Sequence, residues 1–221
     1  MMMLADFLGD VRLYGSGFLM ASWTVFWLTI LTIVVSWICG LLAALGQRSK
    51  WRAVRSVTAF YIWFIRGTPT IIQIFIVYFG FPQVGIRLSP FTAGVLALGI
   101  NSGAYVAEII RSGLMAIPRG QTESALAIGF SQAATMRTIV LPQVFRIVLP
   151  SLTNEAISTL KNTSLLSTIT VVELTLYAQT LIAMTFRPFD FYIAVAVIYL
   201  LLTTILTQLA AWLERHYAVN S

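Results

Sequence analysis

Long apolar runs broken by short polar stretches set the pattern of this chain. Five runs reach membrane-crossing length, at about 19–46, 56–80, 90–115, 143–165 and 190–212. Roughly 20 residues without polar alternation cross a bilayer as a helix, whereas barrel strands are about half as long and alternate. The pattern predicts an all-α integral membrane protein with five transmembrane helices in one domain over residues 1–221. Ser89-Pro90 supplies a cap and first turn for the third helix. Residues 166–189 are moderately apolar but carry Glu173 and Gln179, which suits a short re-entrant or interfacial helix ended near Arg187-Pro188. The longest polar interruption, residues 117–142 (IPRGQTESALAIGFSQAATMRTIVLP), is built from helix formers around Gly129 and is half apolar. A plain connecting loop needs neither property, so this segment is expected to dock onto a partner outside the membrane.

Composition sharpens the membrane reading. The 221 residues are 58% apolar and 10% charged, against about 25% charged in soluble domains. The net charge of +6 does not indicate nucleic acid, because the cations gather at span ends and not along one surface. With the N-terminus outside, Arg48, Lys50, Arg52, Arg55, Arg111, Arg119, Arg137, Arg146 and Arg215 lie inside, and only Arg12, Arg87 and Arg187 outside. The excess of inner Lys and Arg predicts N-out, C-in, which puts residues 117–142 in the cytoplasm. Cys39 stands alone and His216 is the only histidine, which argues against disulfides and a zinc or iron site. The start of the chain has two Asp before its first Arg and lacks the form of a signal peptide.

Within the polar loop, Ala125, Ala127 and Gly129 give small residues at close spacing after Glu123. Small side chains let a short helix seat in a groove on a partner. Gly129 can take the positive backbone angle that ends such a helix, Ser131 can cap the next, Pro142 can open the fourth span, and Glu123 is placed near the helix start where the dipole favours a carboxylate.

Polar groups at membrane depth mark function by default. In the fourth span Ser151, Asn154, Glu155, Ser158, Lys161 and Asn162 fall within about 120° of arc at 100° per residue. Such a stripe faces a water-filled path or packs against a counterpart in a dimer seam. Glu155 and Lys161, with Asn154 and Asn162, offer partners for both ends of a zwitterion. Pro150 is expected to break or kink the span. In the third span Asn101 and Tyr105 are path candidates, Glu108 and Arg111 form a self-neutralising i,i+3 pair, and Gly99 and Gly103 make a packing step. Arg66 precedes the irregular Gly67-Thr68-Pro69, from where it can reach the loop or lipid phosphates in a structural or gating role. Gln73 either faces the path or bonds a neighbouring helix.

Several motifs carry a resemblance. Glu123-Ser124-Ala125 with Gly129 and then Ile139-Val140-Leu141-Pro142 resembles the EAA loop of bacterial ABC importer permeases, with Ser124 for the usual Ala. Phe64-Ile65-Arg66-Gly67-Thr68-Pro69, Tyr105–Gly113, Ile117–Gln121, Leu141-Pro142-Gln143 and Leu160–Leu165 are similar to stretches of the polar amino-acid permeases, with Ser112 for Gly and Asn162 for the common Asp. The resemblance implies a type I, MetI-like permease of the bacterial inner membrane. Two permease subunits, identical or homologous, would form the pathway. Two separate ATPase subunits would bind ATP and Mg, and a periplasmic or lipid-anchored solute-binding protein would deliver the solute. Glu123, Ser124, Ala125, Ala127, Ile128, Gly129 and Phe130 would then meet the ATPase. The chain has no G-x-x-x-x-G-K-[ST] run, in keeping with an ATPase on another chain. An ATP-independent channel or secondary carrier is the alternative, and it leaves the loop without a task. A membrane enzyme built on Ser158 and Lys161 is a weaker one.

Overall fold

A computed structural model describes residues 2–217, with side chains from residue 12 to 216. All of its regular secondary structure among the described residues is helical. The elements are α1 (Met2–Gln47), α2 (Arg52–Gly67), α3 (Thr70–Phe75), α4 (Pro90–Ala116), α5 (Arg119–Ala127), α6 (Gln132–Thr135), α7 (Leu141–Asn162), α8 (Leu174–Thr185) and α9 (Pro188–Tyr217). Wider and tighter turns extend three of them: Ile76–Gly80 and Phe81–Val84 continue α3, Met136–Val140 joins α6 to α7, and Thr163–Ile169 continues α7.

Among the described residues three stretches are long and apolar enough to cross a membrane unaided: Arg12–Gln47, Pro90–Ala116 and Pro188–His216. Two further crossings exist only if bent pairs count as single spans. Arg52–Gly67 and Thr70–Val84 meet at 115°, and Gln132–Ile169 and Leu174–Thr185 at 47°. The expected second span over 56–80 is thus two helices with a sharp elbow. Thr68 is extended (φ −121, ψ 149), as a residue before proline must be, and Pro69 has no N–H to continue the ladder. The helix expected to start near residue 19 begins at Met2. Its 36 residues from Arg12 rise about 54 Å, well beyond a hydrocarbon core of about 30 Å.

Pro150 lies inside α7, which runs unbroken from Leu141 to Asn162. Of the two outcomes expected, the break does not occur; Val144, Val148 and Leu152 pack in one cluster on either side of the proline. Val148 and Leu149 are buried just before it, and the Thr153 hydroxyl donates to the Pro150 carbonyl at 2.9 Å.

α1 and α4 run side by side in the same direction. Cys39 of α1 sits where a Cβ on Gly103 would come within 2.6 Å, and Val35 sits likewise against Gly99. This is the packing step read from the sequence, and it lets two backbones approach closely. Around this pair the core divides by depth. Leu28, Ile74, Leu98, Leu166 and Ile169 form one cluster, and Val25, Leu160, Leu174, Ala178 and Phe191 a second. Ala43, Ile62, Ile65, Ala104 and Ala107 make a third, and Val140, Val144 and Val148 a fourth.

Candidate functional site

The polar stripe of α7 divides into a face turned toward the rest of the chain and a face turned away. Glu155 is half-buried and its Oε1 accepts from Ser102 of α4 at 2.8 Å. Ser102 also accepts from the buried Thr159 at 3.3 Å. Ser151, Asn154 and Lys161 are exposed, and Ser158 and Asn162 half-buried. An apolar chain that turns Ser151, Asn154 and Lys161 outward along one helix presents a surface unsuited to lipid, since a cation at membrane depth costs at least about 2.5 kcal/mol. Pro150 is exposed on the same side. At its far end the helix tightens into Thr163–Ile169 and closes at Thr170, which has a φ of 66°.

Two path candidates occupy a different place. Gln73 and Asn101 are buried and bonded to each other, Asn101 donating to Gln73 Oε1 at 2.9 Å. The Gln73 amide donates to the Ile65 carbonyl at 2.8 Å, the Thr68 carbonyl at 3.1 Å and the Thr68 hydroxyl at 2.8 Å. Ile65 lies four residues before Pro69, so its carbonyl is the one that proline cannot serve. Within this chain the two amides are buried and hold the elbow.

The Glu108–Arg111 pair forms as expected. Arg111 donates to Glu108 from Nε at 3.0 Å and from its terminal nitrogen at 2.9 Å. Two more elements join it. Gln47 at the end of α1 donates to Glu108 at 3.1 Å, and Arg66 at the end of α2 lies 3.5 Å from Oε2. The Arg66 guanidinium stands 5.7 Å from the ring centre of Tyr105, which is exposed. Within this chain Arg66 turns to Glu108, because the elbow aims the end of α2 at α4. One carboxylate thus ties three helices together at a single level.

Residues 117–142 fold into two short helices around a tight turn. Just past the end of α5 lies Gly129, whose φ is +92, and the Phe130 N–H donates back to the Ala125 carbonyl at 3.0 Å. The Ser131 hydroxyl caps α6 through the Ala134 N–H at 3.2 Å. Ala125 is buried, whereas Glu123, Ser124, Ala127, Ile128, Gly129 and Phe130 are exposed, Ile128 by 75%. Glu123 is the fifth residue of α5 and not in its first turn. The dipole argument therefore does not apply to it, since that effect fades within one turn. Pro142 sits at the second position of α7, as expected. The turn joins the bundle through Met136, Val140 and Val144, which pack with Ile109, Leu114 and Ile117.

Sequence reasoning noted Glu173 but not its task. It is fully buried, and its two oxygens accept from the Thr175 N–H at 2.8 Å, the Leu176 N–H at 2.9 Å and the Tyr199 hydroxyl at 2.9 Å. A carboxylate directly ahead of the run from Leu174 to Thr185 was the available signal for a helix cap. Among the described residues no group of three His, Cys, Asp or Glu side chains is placed to hold a metal ion.

A family model described as the inner membrane component of binding-protein-dependent transport systems matches residues 36–219. The glutamine transport system permease protein GlnP of Escherichia coli (strain K12) is 38% identical over 195 residues, 87% of this chain and 89% of that protein. The L-cystine transport system permease protein TcyB of Bacillus subtilis (strain 168) is 40% identical over 192 residues, 85% of this chain and 81% of that one. The nopaline transport system permease protein NocM of Agrobacterium fabrum is 35% identical over 224 residues, 94% and 93% of the two chains. A crystal structure of an amino acid ABC transporter with histidines superimposes with a TM-score of 0.86 at 38% identity, covering 96% of this chain and 97% of its own. The methionine transporter MetNI shares the fold at a TM-score of 0.74 and 16% identity, covering 89% and 94%.

Proposed function

This chain belongs to the inner membrane components of binding-protein-dependent transport systems, and from that premise we propose that its ATP-driven importer carries a polar amino acid or a related compound such as an opine. The relatives named for glutamine, L-cystine and nopaline support that class. Two copies, or this chain and a homologue, enclose the pathway. Two ATPase subunits hold ATP and Mg in the cytoplasm, and a solute-binding protein delivers from outside. Five crossings with N-out, C-in topology place residues 117–142 against the ATPase. Closure of the ATPase pair moves the loop, and the helices rock between two packed arrangements.

The observation that carries the reading is the outward polar face of α7, with Ser151, Asn154 and Lys161 exposed beside the half-buried Glu155. A second subunit facing this stripe encloses a polar channel between them. One Glu155 oxygen is bonded to Ser102, and the carboxylate is suited to receive a solute ammonium while Lys161 receives a carboxylate.

The test is ATPase activity of the reconstituted complex, with its binding protein loaded by one amino acid or opine at a time. Stimulation by one compound, together with a roughly tenfold or greater rise in KM for Glu155→Gln in an intact complex, supports the proposal. Absence of any associated ATPase, with solute flux that persists without ATP, overturns it. Unchanged uptake kinetics in Glu155→Gln would reassign the stripe to subunit packing.

A further inference from the structure

The first half of the bent second span does not have the make-up of a membrane crossing. α2 carries Arg52, Arg55 and Arg66, and no acidic residue lies between Asp10 and Glu108 in the chain. At 100° per residue the three arginines fall within about 60° of one another, and Val57, Phe60 and Phe64 within about 60° on a sector roughly 140° away. Val57 and Phe60 are exposed, and so is Trp63, which falls about 20° from Arg52 and sets a ring beside the cations. Phe60 stacks on Phe64 at 6.0 Å and meets Trp63 at 5.8 Å. A third face, with Ile62 and Ile65, packs on Ala43, Ala104 and Ala107. One side is therefore held by protein, one is apolar and aromatic, and one is basic. That division suits a helix lying in a bilayer interface, with rings at the acyl boundary and cations at phosphate level.

The turn ahead of α2 is arranged to the same end. Arg55 donates to the carbonyls of Ser49 at 2.8 Å and Lys50 at 3.1 Å, and the Trp51 N–H donates to the Ser49 hydroxyl at 3.2 Å. The fold-back leaves Arg48, Lys50 and Arg52 exposed together, and none of the three side chains has a hydrogen bond or ion pair among the described residues. α2 also begins with no acidic residue in its first turn and no capping side chain. Arginines at the positive end of a helix dipole are unfavourable. An anion supplied from outside the chain would offset that charge at the helix start.

We infer that residues 48–66 form a docking surface for anionic phospholipid, with headgroup phosphates on Arg48, Lys50 and Arg52 and acyl chains along Val57, Phe60 and Phe64. The inference rests on the permease reading for the leaflet concerned, the inner one. Control of topology needs positive charge on that side. It does not need an aromatic face opposite the charge or a turn fixed by Arg55. Because α2 ends at the elbow where Arg66 meets Glu108, bound lipid bears on the junction of α1, α2 and α4.

The experiment is native mass spectrometry of the detergent-purified transporter, titrated with phosphatidylglycerol or phosphatidylcholine. Wild type is expected to retain phosphatidylglycerol preferentially. The Arg48→Gln/Lys50→Gln/Arg52→Gln variant, taken only from material that copurifies with its ATPase, is expected to lose about tenfold or more of that affinity, since each cation near an anionic surface contributes about fivefold. The charge-keeping Arg48→Lys/Arg52→Lys variant retains it, and Arg87→Gln is without effect. Equal retention of both lipids by wild type, or a preference unchanged in the triple variant, overturns the inference. Lipid binding is read without transport, so its failure is separate from failure of the permease reading, which shows as the lack of an associated ATPase.

Discussion

At the scale of single residues, buried side-chain amides do more here than the exposed charges. Gln73 supplies the Ile65 carbonyl that Pro69 abandons, and Asn101 orients it from α4. Leaving such groups unpaired costs about 1–3 kcal/mol each in a dry environment, although partners found within a bilayer reduce the mean to about 0.6 kcal/mol. Gln73→Leu is expected to destabilise the chain by about 1–3 kcal/mol, read as a lower Tm in detergent. The Gln73→Leu/Asn101→Leu double variant should cost less than the sum of the singles, since it removes both ends of one bond. Strict additivity would mean that the two amides do not hold the elbow together. Gln73 also illustrates what a sequence can and cannot convey. An amide eight residues after Ile65 is visible in the chain, but only the 115° elbow brings it back to that carbonyl.

The elements differ in how they respond to added bulk. Gly99 and Gly103 sit at a backbone-to-backbone contact, where a Cβ would collide with Val35 or Cys39. Gly129 has open space around it and a φ of +92. Gly99→Val is therefore expected to overpack α1 against α4, cost about 1–3 kcal/mol or more, and lower the yield of folded protein. Gly129→Val carries only backbone strain of about 1–3 kcal/mol. Its bundle should fold, while ATP-driven uptake is lost or the ATPase fails to assemble. Normal uptake by Gly129→Val would remove the loop from coupling, and normal yield of Gly99→Val would remove the packing argument. The loop was legible because a glycine, a following serine cap and small residues are local signals. The elbow was legible only as irregularity: Thr68-Pro69 announces a break but not its angle. Pro150 announces one as well, yet α7 continues through it as one helix, because a single missing bond does not end a helix whose other bonds are kept.

For the whole molecule, the arrangement of cations specifies a side of the membrane. With Cys39→Ser as background, a cysteine placed at Ile128 is expected to resist a membrane-impermeant maleimide applied to intact cells, and one at Ile86 to react. The reverse pattern would invert the topology and with it the assignment of residues 117–142 to the ATPase. The three-helix junction at Glu108 belongs to this scale too. Arg66, Arg111 and Gln47 converge on it from separate helices, and only the i,i+3 member was readable in the chain. Glu155 is a similar case: its place on a polar stripe follows from a 3.6-residue repeat, whereas its bond to Ser102, 53 residues away, follows from how α7 packs on α4.

The sequence by itself determined the membrane class, the helical character, the family to which the chain belongs and the form of the turn at Gly129, because bilayer thickness, helical period and glycine geometry act on neighbouring residues. Only the tertiary structure decided which polar groups serve the protein and which face away from it. Gln73 and Asn101 are consumed in the elbow, and Glu173 in a helix cap. Ser151, Asn154 and Lys161 are left outward. Burial and hydrogen-bond partners are set by contacts between residues far apart in the chain, and no local pattern fixes those.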